Sequence, residues 1–149
     1  MKLSDVLAPE NVVLDLNASS KGSLLRTLSA IAARQLGIGE AAIFSALDNR
    51  EKLGSTGIGE GIAIPHAAIP DMKKPFALFV RLSKPIDFEA IDESPVDIIA
   101  VLLVPVEKSS TKLNLLAGLA RILRSEKIKR IRSLAAASDV HETITEAEA

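Results

Sequence analysis

Between Val96 and Val104 the chain is apolar at both odd and even positions, and Ile98 to Val104 is its longest unbroken apolar run. A strand with one wet face alternates apolar and polar residues. Apolar character at both parities therefore predicts a strand covered on both faces, at the centre of a sheet. Such a strand needs packing layers above and below it. The same run is far too short to cross a bilayer as a helix, which takes about 20 residues. The start, Met1-Lys2-Leu3-Ser4-Asp5, lacks the apolar stretch of a secretory signal. No membrane insertion is expected, and the chain reads as soluble and cytoplasmic.

The flanking segments supply the layers. Val12-Val13-Leu14, between Asn11 and Asp15, predicts a strand. Ser19-Ser20 offers a cap to a helix carrying Leu24, Leu28, Ile31 and Leu36, which Gly37 stops. A second helix is expected from Glu40 to about Leu53, burying Ile43, Phe44 and Leu47. Phe76 to Leu82 and Ile86-Asp87-Phe88 predict strands, with Ser83-Lys84-Pro85 as the turn between them. Past Pro105, Ser109 or Ser110 can cap a helix with the stripe Leu113, Leu116, Ala120 and Leu123. Ile128, Ile131 and Leu134 continue as a further helical stripe, and Ser138-Asp139 opens a last helix through Val140 and Ile144. No repeat or linker interrupts the 149 residues. The expected fold is α/β: a single domain over residues 1–149, with a mixed β-sheet flanked by helices on both faces.

Composition narrows the function classes. Cysteine is absent, so disulfides, iron–sulfur ligation and thiolate zinc sites are excluded. The two histidines, His66 and His141, stand in no recognised metal-ligand spacing. No cofactor or metal is expected. The 18 basic and 19 acidic residues nearly cancel, which gives no field for a polyanion. With no Trp, no Tyr and four Phe there is little to stack bases on. Nucleic acid is not an expected partner.

Chemistry concentrates between Arg50 and His66. Gly54-Ser55-Thr56-Gly57-Ile58-Gly59-Glu60-Gly61 holds four glycines in eight residues, followed by Ile62-Ala63-Ile64, Pro65 and His66. The glycines allow sharp turns and close approach to a ligand, with amide N–H groups able to face an anion. Ser55 and Thr56 add hydroxyl donors, and Arg50 offers a planar fork that matches phosphate oxygens. Pro65 ends the Ile62-Ala63-Ile64 strand and stiffens the approach to His66. A neutral imidazole is a competent nucleophile toward phosphorus and a competent leaving group in reverse. Taken alone, the pattern leaves an ordinary reading open, because most histidines beside loops are surface or hydrogen-bonded residues. A dinucleotide fingerprint follows a strand and opens a helix, whereas these glycines follow a helix and open a strand. A P-loop is excluded by the lack of Gly-Lys-Ser/Thr.

The block Leu47-Asp48-Asn49-Arg50-Glu51-Lys52-Leu53-Gly54-Ser55-Thr56-Gly57-Ile58-Gly59-Glu60-Gly61-Ile62-Ala63-Ile64-Pro65-His66 closely resembles the signature of the mannitol/fructose-type enzyme IIA domains of the bacterial phosphotransferase system. Within that family it is most similar to the nitrogen-related regulatory enzyme IIA. The similarity extends to Pro85 through Asp92 and to Val96-Asp97 through Pro105. The resemblance implies a mannitol-type enzyme IIA fold. It implies that His66 accepts a phosphoryl group on Nε2 from a small phosphocarrier of the HPr/NPr kind, with Arg50 beside it. Ser55, Thr56 and Gly57 would then lie in the phosphate neighbourhood. It further implies regulatory protein targets, of which a sensor kinase or a potassium transporter is a common type.

Many members carry a second histidine on the helix after the Val-Pro segment, and the alignable position here is Asn114, with Lys112 a possible substitute for the missing charge. Asn114 can donate one hydrogen bond but carries no charge and shuttles no proton. Ala67 also stands where Gly is frequent. Two alternatives stay open: a sugar-type enzyme IIA passing phosphate to a IIB component, and a non-catalytic interaction module with the same fold. The free-standing chain favours the regulatory reading. The basic run Arg121, Arg124, Lys127, Lys129, Arg130 and Arg132 reads as a solvated helical face, or else as a docking surface for an acidic partner. His141 reads as structural or exposed, and Asp87, Glu89, Asp92 and Glu93 as an acidic rim.

Overall fold

A computed structural model describes residues 1–107 and 109–146, Ser109 by its backbone alone. The strand that the apolar run predicts is β6, Val96–Pro105, buried at every position but Asp97, which is half-buried. It sits at the centre of a mixed sheet. The other strands are β1 (Val12–Leu16), β2 (Gly57–Gly59), β3 (Ile62–Ala63), β4 (His66–Ile69) and β5 (Phe76–Ile86), in the order β1-β5-β6-β3-β2, with β4 also paired to β6. β5 runs antiparallel to β6, while β3 and β4 run parallel to it along its other edge.

Period two sorts the side chains of the two long strands. Leu78, Val80, Ile99, Val101 and Leu103 face one layer, built from α2 (Lys21–Leu36) and α3 (Glu40–Lys52). Phe79, Ile98, Ala100, Leu102 and Val104 face the other. That second layer is built from α1 (Leu3–Val6), α4 (Ser109–Leu123), α5 (Lys127–Ser133) and α6 (Ala137–Glu146). Each fully buried Leu, Ile or Val contributes about 1.5–3 kcal/mol, so a strand buried on both faces is the strongest single contributor to the core. Helices therefore lie on both faces, as expected. α2 opens where Ser20 accepts a hydrogen bond from Ser23 N at 3.1 Å, and it ends at Gly37 with φ 68°. Among the described residues no helix is long and apolar enough to cross a membrane.

Four local expectations are corrected. Ser83-Lys84-Pro85 forms no turn: β5 continues through these exposed residues to Ile86, which pairs with Val96. The β5–β6 register breaks between Arg81 and Ile86, and this irregularity accommodates Pro85, which has no N–H to give a ladder. Asp87 and Phe88 lie beyond the strand, with Phe88 fully buried. Phe44 is half-buried, packed beneath Arg26 at 4.4 Å. The buried side of α4 is Leu115, Leu119, Ile122 and Leu123, whereas Leu113 is exposed. The cap expected of Ser109 or Ser110 falls at a boundary outside the described residues, and Ser110 itself is helical.

Candidate active site

The step from β3 to β4 places the key side chain. Ile62 pairs with Ile98, Ala63 with Ile99, His66 with Leu102 and Ala67 with Leu103, so the register along β6 is unbroken across Pro65. Pro65 removes one donor, but its carbonyl still accepts from Leu102 N at 2.9 Å. β3 ends before Pro65, as expected, and pairing with β6 resumes in β4 at His66. Alternation then puts Ile62, Ile64 and His66 on the α4 side of the sheet, while Ala63 and Ala67 join the core beneath α2 and α3.

Two contacts define the imidazole. Nδ1 donates to the Ile64 carbonyl at 2.8 Å, because a carbonyl can only accept. Nε2 accepts from Arg50 Nε at 3.2 Å. Both contacts select the neutral tautomer with its lone pair on Nε2. Arg50, in the last turn of α3, also donates from Nη1 to the Gly54 carbonyl at 2.9 Å, so its fork is anchored beside the ring.

Burial, the largest cause, pulls the His66 pKa below its ordinary value of 6.5. The hydrogen bond to Ile64 opposes this. The charges of Arg50 and then Lys112 lower it further, and Glu51 raises it. His66 is half-buried at one side of an open cleft of about 220 Å³ lined by Arg50, Ser55, Thr56, Ile58, Ile64, Leu116 and Ala120. Among the described residues no group of three or more His, Asp or Glu gathers to hold a metal.

Residues 5–147 match the family described as phosphoenolpyruvate-dependent sugar phosphotransferase system, EIIA 2. The chain belongs to that family. It is 44% identical over 134 residues to a nitrogen regulatory protein of Bradyrhizobium diazoefficiens, covering 89% of this chain and 88% of that one. Its fold matches the crystal structure of nitrogen regulatory protein IIA-Ntr from Neisseria meningitidis with a TM-score of 0.91 and 33% identity, covering 96% of this chain and 99% of the other. The crystal structure of IIA mannitol from Escherichia coli shares the fold at a TM-score of 0.74 and 22% identity, covering 92% and 97%.

In this EIIA 2 chain the sequence-predicted site residues are only partly assembled. Arg50 and His66 are in contact, and Ser55 and Thr56 line the cleft beside them. The open anion cradle expected of the glycine-rich stretch is corrected. Gly57–Gly59 and Ile62–Ala63 form an antiparallel hairpin, and the neighbouring donors are already committed. Ser55 Oγ donates to the Phe88 carbonyl at 3.0 Å and accepts from Gly57 N at 3.0 Å. Thr56 donates both its N–H, at 3.1 Å, and its hydroxyl to Glu51. The stretch forms a paired wall of the cleft.

Asn114 is not brought to the site. It is exposed and absent from the cleft lining. At about 100° per residue, Asn114 projects roughly opposite Lys112 and Leu116, and it is the row Lys112, Leu116, Ala120 that faces His66. That row was visible as an i, i+4, i+8 pattern. Its direction depended on how α4 docks. Glu51, Ile58 and Ile64 were unassigned by sequence reasoning, although Glu51 stands next to Arg50 in the signature.

His141 donates from Nε2 to the Leu7 carbonyl at 2.8 Å, a structural contact. The Asp92 carboxyl is held below the usual range by the Glu60 and then the Ser94 backbone N–H groups. In the basic run, Arg124 binds the Ile58 carbonyl at 2.9 Å and Arg132 the Glu60 carbonyl at 2.7 Å. Lys127 and Arg130 meet Glu146. Much of that run fastens the chain to itself.

Proposed function

We propose that this chain is a phosphoryl carrier that takes a phosphoryl group onto Nε2 of His66 from a small phosphocarrier protein of the HPr/NPr kind, in the cytoplasm. One observation carries the reading: His66 is a neutral imidazole whose Nδ1–H is tied to Ile64 and whose Nε2 lone pair faces a guanidinium. The Nε2 lone pair attacks phosphorus. The nitrogen–phosphorus bond on the donor breaks, and its electron pair returns to the donor imidazole. No proton has to move. Arg50 Nε–H, which rests on Nε2, turns to a phosphoryl oxygen as that lone pair is used, so positive charge meets the arriving dianion. The half-buried ring at an open cleft suits a donor group presented by another protein.

The role we assign is regulatory. Relatives matching over most of both lengths carry the name nitrogen regulatory protein, whereas likeness to the mannitol protein extends to fold alone. A phosphoryl group adds about two negative charges to the cleft, enough to alter which protein targets dock there. Incubation with phosphoenolpyruvate, enzyme I and the small carrier should place one acid-labile, alkali-stable phosphate on the chain. His66→Ala should abolish it. No incorporation into wild type would overturn the reading.

A further inference from the structure

Glu51 follows Arg50 on α3 but turns inward, with its side chain 4% exposed. A buried carboxylate is strongly unfavourable unless it is paired and hydrogen-bonded. Here the pairing is complete. Oε1 accepts from Lys21 Nζ at 3.0 Å and from Thr56 N at 3.1 Å, and Oε2 accepts the Thr56 hydroxyl. Lys21 is itself seated over the Phe88 ring at 4.7 Å and lies 3.5 Å from Glu89.

The chain of contacts does not stop at Thr56. The Thr56 carbonyl accepts from Ile64 N at 3.0 Å, and the Ile64 carbonyl is the acceptor for His66 Nδ1. One connected path therefore runs from α2 through α3 and Thr56 to Ile64, between β3 and β4, and on to the imidazole. An apolar residue of similar volume would satisfy packing at position 51 equally well. The carboxylate does what an apolar residue could not: it pairs with Lys21 and grips Thr56 by its N–H and its O–H together.

We infer that Glu51 is a positioning residue of the phosphoryl site: it holds Thr56, and through Thr56 the Ile64 carbonyl that decides which nitrogen of His66 is free to attack. The inference rests on the carrier reading above. If the Ile64 carbonyl drifts, Nδ1–H loses its acceptor and the tautomer bearing hydrogen on Nε2 competes. That tautomer has no lone pair on the attacking nitrogen.

Two conservative variants test it: Glu51→Gln and Thr56→Val, the second keeping the backbone N–H bond while deleting the hydroxyl. The His66 tautomer is read from its imidazole 15N shifts above the titration midpoint, and transfer from the small carrier is followed in single turnovers. Both variants should move the ring toward the Nε2–H tautomer. The saturating transfer rate should fall about ten- to a hundredfold, with the half-saturating carrier concentration little changed, as for a misplaced group. The double variant should be no slower than the worse single one.

A role confined to stability would lower the melting temperature and leave the tautomer and the saturating rate at wild-type values, and that result overturns the inference. Should Glu51→Gln fail to fold, Thr56→Val decides alone. If wild type takes up no phosphoryl group, the carrier reading fails, while the tautomer measurement still decides the role of Glu51.

Discussion

Arg50 donates to the very nitrogen that the proposed carrier role would turn on phosphorus, so at the residue scale the free lone pair of His66 is guarded. The guard and the burial act in one direction on its titration, because each disfavours the imidazolium. The His66 midpoint should therefore lie below 6.5 in an NMR titration of the folded chain, and Lys112→Met should raise it. Phosphoryl uptake should fall as pH drops through that lowered midpoint. The sign for stability follows from the same depression. As pH falls below about 6.5 the unfolded chain binds a proton that the folded ring still refuses, so stability declines with falling pH until the folded ring also titrates. Urea midpoints for wild type and His66→Gln, compared across that window, check it. Arg50 and His66 were legible in the sequence because their block is long and local. Glu51 was not, because burial of one carboxylate is decided by what lies against it.

At the scale of elements, the hairpin β2–β3 converts a glycine-rich stretch from a flexible loop into a wall of the cleft. Its close packing has a specific cause. A Cβ at Gly57 would lie 2.7 Å from Ala90 Cβ and 2.9 Å from Ala90 Cα, so the backbone there must move to admit one. Gly57→Ala should cost about 1–3 kcal/mol in urea denaturation and should slow phosphoryl uptake, because Thr56 and Ile58 would move with it. Existence of the elements was legible from periodicity: β6, α2, α3 and α6 lie where their patterns place them. The phase of α4 was less so. Leu113, Leu116 and Ala120 form a regular apolar row, but the sheet lies against Leu115 and Leu119, and the row turns toward the cleft and solvent. The same rotation leaves Asn114 outside and turns Lys112 toward His66.

At the scale of the whole molecule, the basic side chains after α4 brace the hairpin edge of the sheet. Arg132 joins the Glu60 carbonyl to Asp97, Arg124 holds the Ile58 carbonyl, and Arg81 of β5 binds the Ile131 and Leu134 carbonyls at 2.8 and 2.7 Å. Removing one such charged bond should loosen the hairpin locally. Arg132→Ala should speed hydrogen exchange of the β2–β3 amides about tenfold while leaving β5–β6 protection unchanged. By itself the sequence determined the two-sided sheet and the order of its elements, and the resemblance carried by its signature block placed Arg50 beside His66. Those depend on periodicity and on residues close in the chain. Only the tertiary structure decided which donors were already committed, which face of α4 meets the imidazole and which nitrogen of His66 is free. The direction of α4 is set by packing between segments distant in sequence. The other two are set by how the chain folds back on itself from α3 through the hairpin, where docking angle and burial outweigh any local pattern.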